Sequence, residues 1–97
     1  MLHNNTPNPF NPSTTISYEL PSPSDVMLTV YDITGRTINT LAEAHQPAGT
    51  YSILWNGTDK SGDPVSTGVY FCRLRVVDPA GGGTGDYAKT IKMVYLK

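Results

Sequence analysis

The chain has 97 residues, enough for one domain and too few for two, and at this size about 60–70% of the unfolded surface is buried on folding. Seven basic against eight acidic side chains give a formal net charge of −1 with no basic cluster, which argues against phosphate-led nucleic-acid binding. With 38% apolar residues, and nine Gly and eight Pro spread without a fixed period, the composition argues against collagen, long helices and simple disorder.

The single cysteine, Cys72, excludes an internal disulfide, so packing alone must support the fold. No run of 18 apolar residues is present, and no transmembrane segment is expected. MLHNNTPNPF lacks the charged region and apolar stretch of a signal peptide, so the signal of an exported parent is expected upstream.

Residues 1–13 are polar and rich in Asn and Pro. Pro7, Pro9 and Pro12 bias them towards extended backbone, and the segment reads as a linker leading into a domain at 14–97. Phe10 is expected to plug the open end of the core. From Thr14 the pattern turns to period two, with Ile16, Tyr18 and Leu20 on one face of a half-buried strand. Pro21 and Pro23 stop it. The next strand places Val26, Leu28 and Val30 on one face and Met27, Thr29 and Tyr31 on the other. Asp32-Ile33-Thr34-Gly35 is then a turn, with Gly35 supplying a positive φ.

Arg36 to Leu41 reads as a short strand and Ala42 to Gly49 as a loop, with room for one helical turn before Pro47. In the following strand Tyr51, Ile53 and Trp55 share a face, and Trp55 is expected in the core. Residues 58–68 are a polar connection. GVYFCRLRVVD is the clearest strand: Tyr70, Cys72, Leu74 and Val76 line one face, while Arg73 and Arg75 need water on the other. After a glycine-rich turn over Asp78–Asp86, AKTIKMVYLK forms a last strand. Its inward face is either Ile91, Met93 and Tyr95 or Val94 and Leu96. The sum is an all-β, immunoglobulin-like antiparallel sandwich of about seven strands. Prolines near the first strand and lysines in the last are expected to guard its edges.

No catalytic constellation emerges. His3 and His45 sit in the leader and in a Pro/Gly-bounded loop, and mid-strand Cys72 reads as a buried structural thiol. Neither HExxH, CxxC nor a phosphate-binding glycine motif occurs, and no cofactor is implied. Asp59-Lys60-Ser61-Gly62-Asp63 offers alternating oxygens somewhat as a calcium loop does, but lacks the glycine and glutamate of an EF-hand; a capped turn is the expectation. Asn56-Gly57-Thr58 matches a glycosylation sequon and also reads as a turn. Tyr31 and Phe71, on the outward faces of their strands, offer slender support for sugar binding.

Several segments together resemble a known family. They are Pro7-Asn8-Pro9-Phe10-Asn11-Pro12, Leu28-Thr29-Val30-Tyr31-Asp32-Ile33-Thr34-Gly35-Arg36, Pro47-Ala48-Gly49-Thr50-Tyr51, Trp55-Asn56-Gly57, Gly68-Val69-Tyr70-Phe71-Cys72-Arg73-Leu74 and Lys92-Met93-Val94. In this order and spacing they resemble the C-terminal sorting domain of the type IX (Por) secretion system, itself similar to the immunoglobulin-like domain of the flagellar hook-capping protein.

The resemblance implies a domain without turnover at the end of a secreted enzyme or adhesin of Bacteroidetes-like bacteria. The partners it implies are the outer-membrane translocon, a surface sortase and the N-terminal passenger of the parent. The location it implies is the medium or the cell surface, after transit through the periplasm. Carried onto this chain, the motifs make Asp32, Gly35, Arg36, Gly68 and Lys92 the recognition residues, and Lys92 and Lys97 are the expected outward contacts with machinery. Pro7, Asn8 and Pro9 match the leader motif. The 78–86 loop is longer than the family pattern. The competing expectation is a structural or adhesive accessory module binding protein or glycan.

Overall fold

The computed structural model describes residues 2–10, 12–77 and 86–96, with the side chain of Asp86 excepted. Six strands follow one another: β1 (Thr14–Leu20), β2 (Ser24–Asp32), β3 (Thr37–Gln46), β4 (Gly49–Trp55), β5 (Gly68–Val77) and β6 (Asp86–Tyr95). They form two sheets, β1-β4 and β3-β2-β5-β6, and every ladder is antiparallel. This is the expected immunoglobulin-like sandwich, with six strands among the described residues rather than about seven.

The inner faces follow the period-two pattern. Ile16, Tyr18 and Leu20 of β1 face Val26, Leu28 and Val30 of β2 and Cys72, Leu74 and Val76 of β5, all buried. In β6 the register falls on Ile91, Met93 and Tyr95, which are buried, while Leu96 is exposed. Trp55, Phe10, Tyr95 and Tyr70 close one end. Phe10 stacks on Tyr95 at 4.9 Å between centroids and tilts against Trp55 at 5.4 Å, and Tyr70 meets Trp55 edge-on at 5.5 Å. The Tyr70 hydroxyl donates back to the Ser66 carbonyl at 2.6 Å, the same kind of closure as a tyrosine corner. Trp55 Nε1 donates to the Thr58 carbonyl at 2.9 Å, so its one polar atom is satisfied.

One segment departs from the sequence expectation. Ala42 to Gln46 is not a loop but the second half of β3, paired with β2 from Leu28↔Ala42 to Ser24↔Gln46. Ala and Glu have little intrinsic preference for strands, and here the ladder offered by β2 overrides it. Two register irregularities, between Leu28 and Thr29 and between Val30 and Tyr31, bend β3 against β2.

The leader, expected as a linker, lies packed along both sheets. Leu2 bridges Tyr18 and Thr6 bridges Thr15 in antiparallel sense, and then Phe10 bridges Tyr95 of the other sheet in parallel sense. Leu2, Asn5 and Phe10 are buried. The segment covers the outer edge of β1 and then part of the outer edge of β6, so backbone pairing adds to the guarding expected from prolines and lysines. The glycine-rich turn over 78–85 lies outside the described residues.

Candidate recognition site

Asp32 ends β2, and its carboxylate organises the turn that follows. Oδ1 accepts from the Thr34 N–H at 2.9 Å, the Thr34 hydroxyl at 2.6 Å and the Arg36 N–H at 3.0 Å. Arg36 Nε donates to Oδ2 at 3.2 Å. Gly35 sits at φ 88°, where a side chain is disfavoured, and donates its N–H to the Asp32 carbonyl at 3.0 Å. The Thr34 hydroxyl above all, then the Arg36 and Thr34 N–H groups and the Arg36 charge, hold the Asp32 carboxyl below the usual range against an opposing desolvation. The turn thus spends the acid internally, while Ile33, 73% exposed, and the Arg36 side chain, 78% exposed, project outwards.

The same device recurs at Asp59-Lys60-Ser61-Gly62-Asp63. Asp59 Oδ1 accepts from Ser61 N at 2.9 Å and Asp63 N at 3.0 Å, and Gly62, at φ 87°, donates to the Asp59 carbonyl. One oxygen of the carboxylate is committed to capping, as the turn expectation requires. No group of three or more acidic, His or Cys side chains poised for a metal occurs among the described residues. In the sequon segment the Thr58 hydroxyl donates to Asn56 Oδ1 at 2.6 Å, so the Asn56 carboxamide is also part of a turn.

The residues singled out from the motifs gather at one end of the four-stranded sheet. Asp32 pairs with Tyr70, Tyr70 with Met93, Phe71 with Lys92, and Gly68 with Tyr95. Asp32, Gly68 and Lys92 therefore lie within three rungs of one another along the ladder. Lys92 is exposed on the outer face beside Phe71. Nothing in the structure demands a glycine at 68: its φ is not positive, and an added Cβ would meet nothing within 4 Å. Lys97 lies outside the described residues.

The other reactive side chains do not join this end. Cys72 is fully buried, and burial pushes its thiol up to about 12. His3 pairs with Glu19 and His45 with Asp25, each at 2.8 Å and on the surface. Tyr31 and Phe71, by contrast, do lie at this end, opposite one another beside Lys92 and half-buried.

Sequence reasoning missed the work of two asparagines. Asn8 Nδ2 donates to the Lys92 carbonyl at 3.1 Å and Asn8 Oδ1 accepts from the Val94 N–H at 2.9 Å. Its neighbours Pro7 and Pro9 have no N–H to offer, so a side chain continues the ladder where the backbone cannot. Asn5 Nδ2 donates to Thr14 Oγ1 at 2.9 Å and the Pro7 carbonyl at 3.1 Å, pinning the bend of the leader. An asparagine between two prolines was the visible signal, but its partner lies 84 residues away.

The sequence model of the FlgD Ig-like domain matches residues 5–78. The chain belongs to the FlgD Ig-like domain family. The crystal structure of FlgD from P. aeruginosa is similar to it at 27% identity and a TM-score of 0.65, over 84% of this chain and 59% of that one. The crystal structure of dimeric latent PorU from Porphyromonas gingivalis is similar at 27% identity and a TM-score of 0.74, over 98% of this chain and 9% of that one. The chain thus spans less than two thirds of FlgD and about a tenth of PorU. Among curated proteins no relative matches it. The FlgD Ig-like match stops at residue 78, before β6 begins at Asp86.

Proposed function

We propose that this FlgD-type Ig-like domain is a non-catalytic sorting and anchoring module of a larger secreted protein. In this reading it is taken through the type IX outer-membrane translocon, handled by a surface sortase and left at the surface or in the medium. The observation that carries the reading is the likeness to PorU from Porphyromonas gingivalis over 98% of the chain, beside the ordered motifs that resemble a type IX sorting domain. That extent takes in β6 and the Lys92-Met93-Val94 segment, which the family match leaves out. The folded sandwich offers the machinery Arg36 and Ile33 on a rigid turn and Lys92 on the neighbouring ladder, with the passenger attached upstream of the leader.

The test is export of a periplasm-directed fluorescent reporter fused to the chain, in a host with an intact type IX system and in its translocon-deficient mutant. Surface or medium signal in the intact host alone is expected, and it is lost with Arg36→Glu combined with Lys92→Glu. These substitutions are preferred to truncation at Thr90, which removes Ile91, Met93 and Tyr95 from the core. Equal periplasmic retention of a folded fusion in both hosts overturns the reading. The family match over residues 5–78 favours a second one, a structural Ig-like spacer, under which neither substitution alters export.

A further inference from the structure

The outer face of the four-stranded sheet carries three cations that have no acidic partner among the described residues: Arg73 and Arg75 on β5 and Lys92 on β6. Arg73 and Arg75 stand two residues apart on one face, about 7 Å along the strand. Lys92 is opposite Phe71, one strand over and about 5 Å away, and Phe71 is in turn opposite Tyr31. Of the described acids of this face, Glu43 lies on the rung of Arg75 two strands over and Asp25 one outward position beyond, both bordering one hollow with Arg75 and further from Arg73 and Lys92, and Asp25 is engaged by His45. Thr29 sits opposite Arg73, one outward position along β2 from Tyr31. Thr29 is 4% exposed, and its hydroxyl has no hydrogen-bond partner. A buried hydroxyl without a partner is uncommon and costly.

We propose that this face binds an acidic polysaccharide, with uronic-acid carboxylates taken by Arg73, Arg75 and Lys92 and a sugar ring laid against Tyr31 and Phe71. Guanidinium groups match planar carboxylates in a bidentate way, and two of the three cations are Arg. A protein partner fits less well. Protein interfaces centre on well-buried apolar anchors, and among the described residues the one large apolar side chain strongly exposed on this face is Met27, between Glu43 and Arg75 and away from Phe71 and Lys92. A hydrated polymer with regularly spaced charges needs no such anchor. The inference does not rest on the sorting reading, because it concerns what the folded face holds.

Calorimetric titration of the whole chain with oligogalacturonate tests it. Saturable binding is expected, weakening as NaCl is raised from about 50 to about 300 mM. The variant Arg73→Gln/Arg75→Gln weakens binding by about tenfold or more, and Arg73→Lys/Arg75→Lys recovers part of the loss. Phe71→Leu, which keeps apolar bulk but removes the ring, weakens it about threefold, whereas Lys60→Gln in the β4–β5 loop changes nothing. Unchanged circular dichroism and thermal midpoints show that the variants remain folded. Absence of binding to oligogalacturonate overturns the proposal, as does binding indifferent to the Arg73/Arg75 change. Equal affinity for polyglutamate of matched charge, with no loss in Phe71→Leu, overturns it in favour of an acidic protein segment.

Discussion

The carboxamide of Asn8 straddles Met93, giving its N–H to the Lys92 carbonyl at 3.1 Å and taking the Val94 N–H at 2.9 Å. Two motifs at opposite ends of the sequence are thereby one structural unit. The Asn8→Ala variant loses both bonds, and a destabilisation of about 1–2 kcal/mol is expected in urea unfolding. Asn8→Asp keeps the acceptor for Val94 and loses the donor to Lys92, so it falls between Asn8→Ala and the parent.

Phe10 closes the aromatic end. Replacing it with Ala leaves a void beside Trp55 and Tyr95, with an expected loss of about 3–5 kcal/mol. Trp55 emission, read in the native state, shifts to the red as water reaches the ring.

Two glycines with positive φ separate backbone strain from collision. Gly57 lies at φ 71°, and an added Cβ would come within 2.9 Å of the Tyr95 ring; at Gly35, φ 88°, it would meet nothing within 4 Å. Gly35→Ala therefore costs about 1–2 kcal/mol in backbone strain alone. Gly57→Ala costs more by thermal melting, because the ring it strikes is packed against Phe10.

The buried faces of β1, β2 and β5 were legible in the sequence because one face is core and the other water, so alternation carries the register. In β6 both faces hold apolar residues, and only the pairing with β5 distinguishes Met93 from Val94. The second half of β3 was illegible for a related reason. Its exposed Glu43, Ala44 and His45 carry no apolar alternation, and its strand state comes from β2. At the candidate site the Asp32 turn could be read from Asp, Thr and Gly at fixed offsets. The contact of Asn8 with β6 could not, since nothing local encodes a partner so far along the chain.

The Asp32 carboxyl sets a pH prediction. Its folded value lies below the unfolded one, so its contribution to stability is complete above the unfolded carboxylate range. It is lost as the pH falls through the folded value. Removing the hydroxyl with Thr34→Val raises the midpoint of Asp32 in a carbon-detected NMR titration. A midpoint that stays in place assigns the depression to the backbone N–H groups instead.

Cys72, with its thiol pushed up to about 12 inside the core, stays protonated in the folded state at pH 8. A disulfide reagent is expected to modify it only at the rate of global unfolding, so modification and tryptophan emission should report the same rate constant. Faster modification would reveal a local opening of β5.

The leader runs alongside β6 in the same direction at Phe10 and antiparallel to β1 at Leu2 and Thr6. Residue 2 and residue 96 therefore lie towards opposite ends of the sandwich, and tension between them acts along the strands. The bonds of Phe10 to Val94 and Leu96, with those of Asn8, are then loaded together in shear instead of opening one after another. Pulled in that direction, the domain is a mechanical clasp, held by these four hydrogen bonds together with those of His3 and Thr6 to β1.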